Sequence, residues 1–113
     1  MESAKPTKTW HADDPAPSAI EVFQSTLDGL AGDDVEVYLE ETESEDGSWP
    51  YVDQIHTRTY TIHTLTAHAV AEWESGQCDG TMETWSSLTV TLYGTDPMLL
   101  DTFDDFFHRH FGA

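Results

Sequence analysis

Six histidines and one cysteine are the residues of this chain best suited to bind a metal ion. His56, His63 and His68 are seven and five residues apart. Because side chains of a strand alternate between two faces, these odd intervals allow at most two of the three to converge. Cys78 has no second cysteine in a CxxC arrangement. The sequence therefore predicts no metal site and no cofactor.

Motifs for covalent or phosphate chemistry are also missing. The chain contains no GxSxG nucleophile elbow, no glycine-rich phosphate loop and no HExxH zinc motif. Neighbouring carboxylates such as Asp104 and Asp105 point in different directions on a helix, and adjacency carries little information in so acidic a chain. We expect a protein that is not an enzyme, with a dispersed catalytic or ligand-binding site as one alternative.

The strongest compositional feature is acidity. The chain has 22 Asp and Glu but only four Lys and Arg, which gives a net charge of −18 and strong self-repulsion in dilute buffer. Molar salt removes this repulsion, since the Debye length falls to about 3 Å at 1 M, and carboxylates hold hydrated cations. The composition resembles that of extremely halophilic archaea and their viruses. A nucleic-acid mimic and an ordinary acidic protein are the other interpretations.

The same composition disfavours a disordered chain and several classes of partner. Four Trp, five Phe and four Tyr argue against a disordered acidic chain. No basic patch is available for nucleic acid. No apolar run approaches the ~20 residues of a membrane span, and the first residues lack the apolar core of a signal peptide. We therefore expect a soluble protein that is not exported by this route and, if cellular, is cytoplasmic, with no nucleic-acid or membrane partner.

The chain divides into an arm and one domain. Residues 1–17 contain three prolines and predict a flexible N-terminal arm. Because a solvated arm gains nothing from a tryptophan, Trp10 is a candidate contact with a partner or a neighbouring subunit, with a local contact on the same domain as the alternative. Residues 18–113 are long enough for a single hydrophobic core.

Hydrophobic periodicity over 18–113 predicts an α+β fold. Ser18 and Glu21 have capping-box spacing ahead of a helix over about 19–31. Alternating segments predict three strands, and Asp96 with Pro97 begins a closing helix. The predicted order is α-β-β-β-α, an antiparallel meander with both helices on one face. The strands span 35–40, 51–73 with a break near Leu65, and 84–93; an acidic loop is expected at 41–48 and a turn at 75–80.

Two stretches without any carboxylate are the main candidates for a functional surface. Residues 54–71 hold none, where the average density (22/113 × 18) predicts three or four, and residues 84–95 hold none either. Both stretches fall on strands that we expect to pair at the centre of the sheet. One face of this pair holds weakly polar and aromatic side chains: Thr57, Thr59, Thr61, His63, Trp85, Ser87, Thr89, Thr91 and Tyr93.

This uncharged face has two interpretations. Threonine is a favourable residue for any strand surface, which would need no function. Alternatively, the face is buried against a second copy or a partner, since interface cores are depleted of charge and enriched in aromatic residues. We favour the interface and take Thr57, Thr59, Thr61, His63, Trp85, Thr89, Thr91, Tyr93 and Trp10 as its candidate residues.

The order of the predicted elements over 18–112 is similar to one viral family. The stretch Leu88–Asp101, read as LTVTLYGTDPMLLD, resembles the last strand and closing helix of tail-terminator or tail-completion proteins of tailed viruses. The double-stranded-RNA-binding fold has a similar order, but the acidic surface argues against it. The viral resemblance implies a ring, often a hexamer, that joins the tail tube to the neck and has no catalytic residues.

We accordingly expect a non-enzymatic assembly protein, most plausibly a neck or tail component of a virus of a halophilic archaeon. It would form a homo-oligomeric ring, contact other structural proteins, and reside in the virion after assembly in the host cytoplasm. A small cellular protein-binding or regulatory module of a halophile is the first alternative.

Overall fold

Five strands and two helices make up the computed structural model, which describes residues 5–48, 51–78 and 83–112. In chain order they are β1 (Lys8–Asp13), α1 (Pro17–Leu30), β2 (Glu36–Ser48), β3 (Tyr51–His63), β4 (Ala67–Cys78), β5 (Glu83–Gly94) and α2 (Pro97–Phe111). The strands form one antiparallel sheet in the order β1-β5-β4-β3-β2. The predicted α+β class, with an antiparallel meander and two helices on one face, is confirmed.

Both helices pack on the same face of the sheet because each has one apolar stripe. Phe23 of α1 lies with its ring centre 6.4 Å from Tyr60 of β3 and 5.0 Å from Phe106 of α2. Phe23, Phe103 and Leu27 are almost fully buried. Burying a side chain of this size contributes about 1.5–3 kcal/mol, so these aromatic contacts hold the helices against the strands.

Residues 8–13 differ from the predicted flexible arm, since they form β1 at the edge of the sheet. β1 pairs with β5, and Trp10 lies opposite Val90. The Trp10 side chain is only 6% exposed, with its ring 5.4 Å from that of Phe103. Trp10 is therefore a core residue. Its prediction as an interface residue is wrong, and the alternative of a local contact on the same domain is correct. The prolines at 15 and 17 flank a turn and leave β1 itself free to donate hydrogen bonds.

The acidic segment at 41–48 belongs to β2 and is not a loop. β2 is an edge strand, where carboxylates reach solvent and discourage pairing with another chain. The predicted long strand over 51–73 is instead two strands, and the break expected near Leu65 is the turn that joins β3 to β4. Ser75–Cys78 continue β4; residues 79 and 80 of the expected turn lie outside the described residues.

The two helix starts show which capping signals are used. Asp96 caps α2 as predicted, because its carboxylate accepts hydrogen bonds from the backbone N–H of Met98 and Leu99. The capping box expected at Ser18 is not formed, since α1 begins at Pro17 and its N-cap is Ala16 without a side-chain bond.

Trp10→Ala should destabilise the fold by about 3–5 kcal/mol, the cost of removing a large buried aromatic side chain. Ser25→Ala is the control, because Ser25 is exposed on α1, away from the outer face, and surface changes cost about 0.5 kcal/mol or less. Urea unfolding in concentrated KCl measures both. Equal losses for the two variants would show that β1 is not part of the core.

Asp104 on α2 supplies a second test of β1. It accepts hydrogen bonds from Lys8 Nζ and, at 2.9 Å, from Trp10 Nε1, and these bonds lower the pKa of its carboxyl. A lowered pKa means that the stabilisation is present above the ordinary value of 3.8 and is lost as the pH falls below it.

Asp104→Asn should therefore lower the urea midpoint at neutral pH, with a difference from the unmodified chain that shrinks at about pH 3. Asp101→Asn is the control, since Asp101 is exposed on the same helix. A difference that stays constant with pH would contradict the assigned contacts.

Candidate functional site

The face of the sheet opposite the helices is the first candidate site, and we call it the outer face. Side chains alternate along each strand, so the residues next to the buried Tyr60, Ala71 and Val90 point away from the helices. In the part of the chain that the structure describes, no helix or strand packs over this face.

Eight of the nine predicted interface residues lie on the outer face; Trp10 is the exception. The pairing registers arrange them, with their neighbours, in three cross-strand rows. The histidine row is His63, His68 and Tyr93, flanked by Glu36; the threonine row is Thr61, Val70 and Thr91, flanked by Tyr38 and Thr9; the glutamate row is Glu40, Thr59, Glu72, Thr89 and His11. Thr57 and Trp85 lie beyond the glutamate row.

The two strands expected to pair at the centre of the sheet are not neighbours. β4 lies between β3 and β5, and it brings Glu72 between Thr59 and Thr89. Glu74 likewise lies opposite Thr57. The face is thus less neutral than predicted at Thr57, Thr59 and Thr89, because alternation does not reveal which strand is inserted between two others.

The uncharged part of the outer face is the area where the two carboxylate-free stretches meet. We call it the outer patch, and it consists of the histidine and threonine rows: Thr61, His63, His68, Val70, Thr91 and Tyr93. His63 is exposed and the other five side chains are half-buried. His68 and Val70 were missed in the sequence because β4 was not recognised as a separate strand.

Aromatic rings stack across one end of the outer patch. His68 lies 4.7 Å from Tyr93 with only 12° between the ring planes, and 5.8 Å from His63. Tyr38 packs edge-on to His63 at 6.1 Å. The Tyr38 hydroxyl donates a 2.9 Å hydrogen bond to Glu36, and this carboxylate raises the pKa of Tyr38. The stack is a preformed, flat surface suited to contact with another protein.

A groove on the helix side is the second candidate site. It has a volume of about 1400 Å³ and lies between the start of α1 and the far half of the sheet. Arg58 stacks on Trp73 at 5.1 Å and lies 3.0 Å from Glu41, while His56 lies 3.4 Å from Glu43. The sequence offered one signal for it, since Arg58 is the only Lys or Arg between Lys8 and Arg109.

The polar atoms at the base of the groove are closed off from solvent. Arg58 and His56 each lie beside a carboxylate of β2, those of Glu41 and Glu43. His56 Nε2, Trp73 Nε1 and Arg58 Nε are buried without a well-aligned hydrogen bond. A ligand cannot reach these atoms unless the groove rearranges. The groove is therefore a weaker candidate for a binding site than the outer patch.

Two further features are absent from residues 5–48, 51–78 and 83–112. No three His, Cys, Asp or Glu side chains there are grouped so that they could hold a metal ion; the side chain of Cys78 lies outside the described residues. In the same residues, neither helix has the length and apolar character needed to cross a membrane.

Comparisons with known proteins add no assignment. No protein-family model matches the chain, and no curated protein or solved structure is significantly similar to it.

The distribution of charge predicts that stability depends on salt. β2 alone carries six carboxylates in 13 residues, and the whole chain has only four Lys and Arg. Raising KCl from millimolar to molar concentration should therefore increase the melting temperature strongly, because screening removes the repulsion. Sucrose at equal osmolality is the control, since it favours burial without screening. Complete folding at millimolar ionic strength would contradict a salt-adapted surface.

Proposed function

We propose that the chain is a non-enzymatic assembly protein that binds a second copy of itself through the outer face. The observation that supports this is the outer patch, a group of six uncharged side chains on an uncovered sheet face in a chain with a net charge of −18. A surface exposed only to brine gains nothing from excluding charge, whereas an interface core does.

The shape and chemistry of the outer face suit a copy of the same chain. The threonine row has the short β-branched side chains of Thr61, Val70 and Thr91 at its centre, so two such faces can approach to the ~10 Å separation of packed sheets. Five strands about 4.8 Å apart and three rows about 6.7 Å apart cover roughly 500 Å². A standard interface buries about 800 Å² per partner, so the rim of the face must supply the remainder.

Self-association also explains why the neutral surface matters in this chain. Two molecules of charge −18 repel each other unless salt screens them and the contact itself is free of carboxylates. The outer patch satisfies the second condition; Glu36 and Glu40 of β2 lie at the edge of the contact, and the helices lie on the opposite face of the sheet.

We propose further that the assembly is a neck or tail component of a tailed virus of a halophilic archaeon, where it forms a ring. The support is the resemblance of Leu88–Asp101 to tail-terminator proteins, together with the junction by which β5 passes through Gly94 and Asp96 directly into α2. Other structural proteins of the virion would be its partners.

A ligand-binding domain is the second candidate function, and the groove favours it. Its lining combines the Trp73 ring with amide and hydroxyl side chains, a composition suited to small ligands. A chain that stays monomeric at high salt would favour this candidate.

Thr61→Glu with Thr91→Glu should abolish self-association. The two substitutions place carboxylates on both sides of Val70 in the threonine row, where two faces would otherwise meet. The readout is mass in solution by light scattering in about 2 M KCl, where exposed charges are well screened. Thermal melting in the same buffer should show that both chains fold.

The matched control is Ser18→Glu with Ser25→Glu, which adds the same charge at exposed positions of α1. It should leave the oligomer intact. An oligomer that survives Thr61→Glu with Thr91→Glu would place the interface elsewhere, and a monomeric unmodified chain would overturn the assembly proposal. Electron microscopy of the unmodified oligomer then tests for a closed ring.

A further inference from the structure

We infer that two copies pair outer face to outer face about a two-fold axis that runs along the threonine row, across the strands. This inference rests on the self-association proposed above and adds the arrangement of the two copies. The argument comes from the order of the three rows, which the pairing registers define.

The order of the rows makes the outer face complementary to itself. The uncharged threonine row lies in the middle, with the histidine row on one side and the glutamate row on the other. Rotation by 180° about an axis along the threonine row exchanges the positions of the other two rows. The histidine row of one copy then faces the glutamate row of the other.

Within these rows, His68 and Glu72 occupy the same strand, two residues on either side of Val70. The rotation places His68 opposite the partner's Glu72, and symmetry repeats the contact. A Glu72 carboxylate that loses water in the interface thus gains a hydrogen-bond donor, the imidazole N–H of the partner's His68. Tyr93 meets the partner's Thr89 in the same way.

The other two-fold arrangement, with the axis along β4, brings like residues together. It places Glu72 against the partner's Glu72 and His68 against the partner's His68. Like charges that face each other at the centre of an interface disfavour association strongly. The axis along the threonine row also pairs carboxylates, Glu36 with the partner's Glu40, but both lie on the edge strand β2, where they stay hydrated and screened by salt. The row order therefore selects the axis across the strands, which keeps carboxylate pairs away from the centre of the contact.

A two-fold contact closes on itself. A ring built on this contact would hold an even number of copies and would use a second surface for its remaining contacts. The outer face would then set the pairing, and some other surface the size of the ring.

Cysteine cross-linking tests the arrangement in the full chain, with Cys78→Ser as the background. The probe is a short bismaleimide, because facing sheets lie about 10 Å apart. Val70→Cys should give a covalent dimer, since Val70 lies at the centre of the outer patch. Ser25→Cys on the exposed side of α1 is the control and should give none.

The direction of the axis is tested by mixing two variants. His68→Cys chains and Glu72→Cys chains should each fail to cross-link alone and should form covalent heterodimers when mixed. Positions 68 and 72 are four residues apart on the same strand. Cross-linking of Glu72→Cys chains with one another would therefore overturn the inference in favour of the axis along β4, which brings the two copies of position 72 together.

Charge exchange supplies a readout without cysteines. His68→Glu should weaken association at least about tenfold, and addition of Glu72→His in the same chain should restore it. No restoration would count against the facing pair. If no cysteine variant cross-links while Thr61→Glu with Thr91→Glu still breaks the oligomer, the two-fold axis is wrong but self-association through the outer face stands. If the unmodified chain is monomeric, the two-fold axis and the proposed self-association are both overturned.

Discussion

The number of apolar faces is the constraint on which the rest of this structure depends. Two helices of 14 and 15 residues can cover only one face of a five-stranded sheet. Phe23, Phe103 and Trp10 fix both helices to that face through ring contacts. The outer face is left without cover as a direct consequence, and the character of its side chains then decides what it can bind.

The carboxylates lie mainly away from the centre of the outer face. β2 is the most acidic strand, and its edge position lets carboxylates stay hydrated and discourages a sixth strand. Glu41 also forms an ion pair with Arg58 across the β2–β3 pair, and Glu43 lies beside His56. The centre of the outer face is spared, so in a chain this acidic the contact surface is defined by where carboxylates are missing.

Much of the fold follows from local signals. Asp96 and Pro97 begin α2 as predicted, because an N-cap and the first helical turn involve only neighbouring residues. Alternation of side chains placed Thr61, His63, Thr91 and Tyr93 together on one face for the same reason, since it depends on strand geometry alone. The change in alternation near Leu65 marked the turn between β3 and β4.

The sequence by itself determined the acidity, the lack of catalytic motifs, the class of fold and the neutrality of two strand segments. Only the tertiary structure decided that Trp10 belongs to the core, that β4 separates β3 from β5, and that Glu72 borders the outer patch. The physical reason is that capping and alternation act over a few residues, whereas strand order and burial are set by contacts between distant parts of the chain.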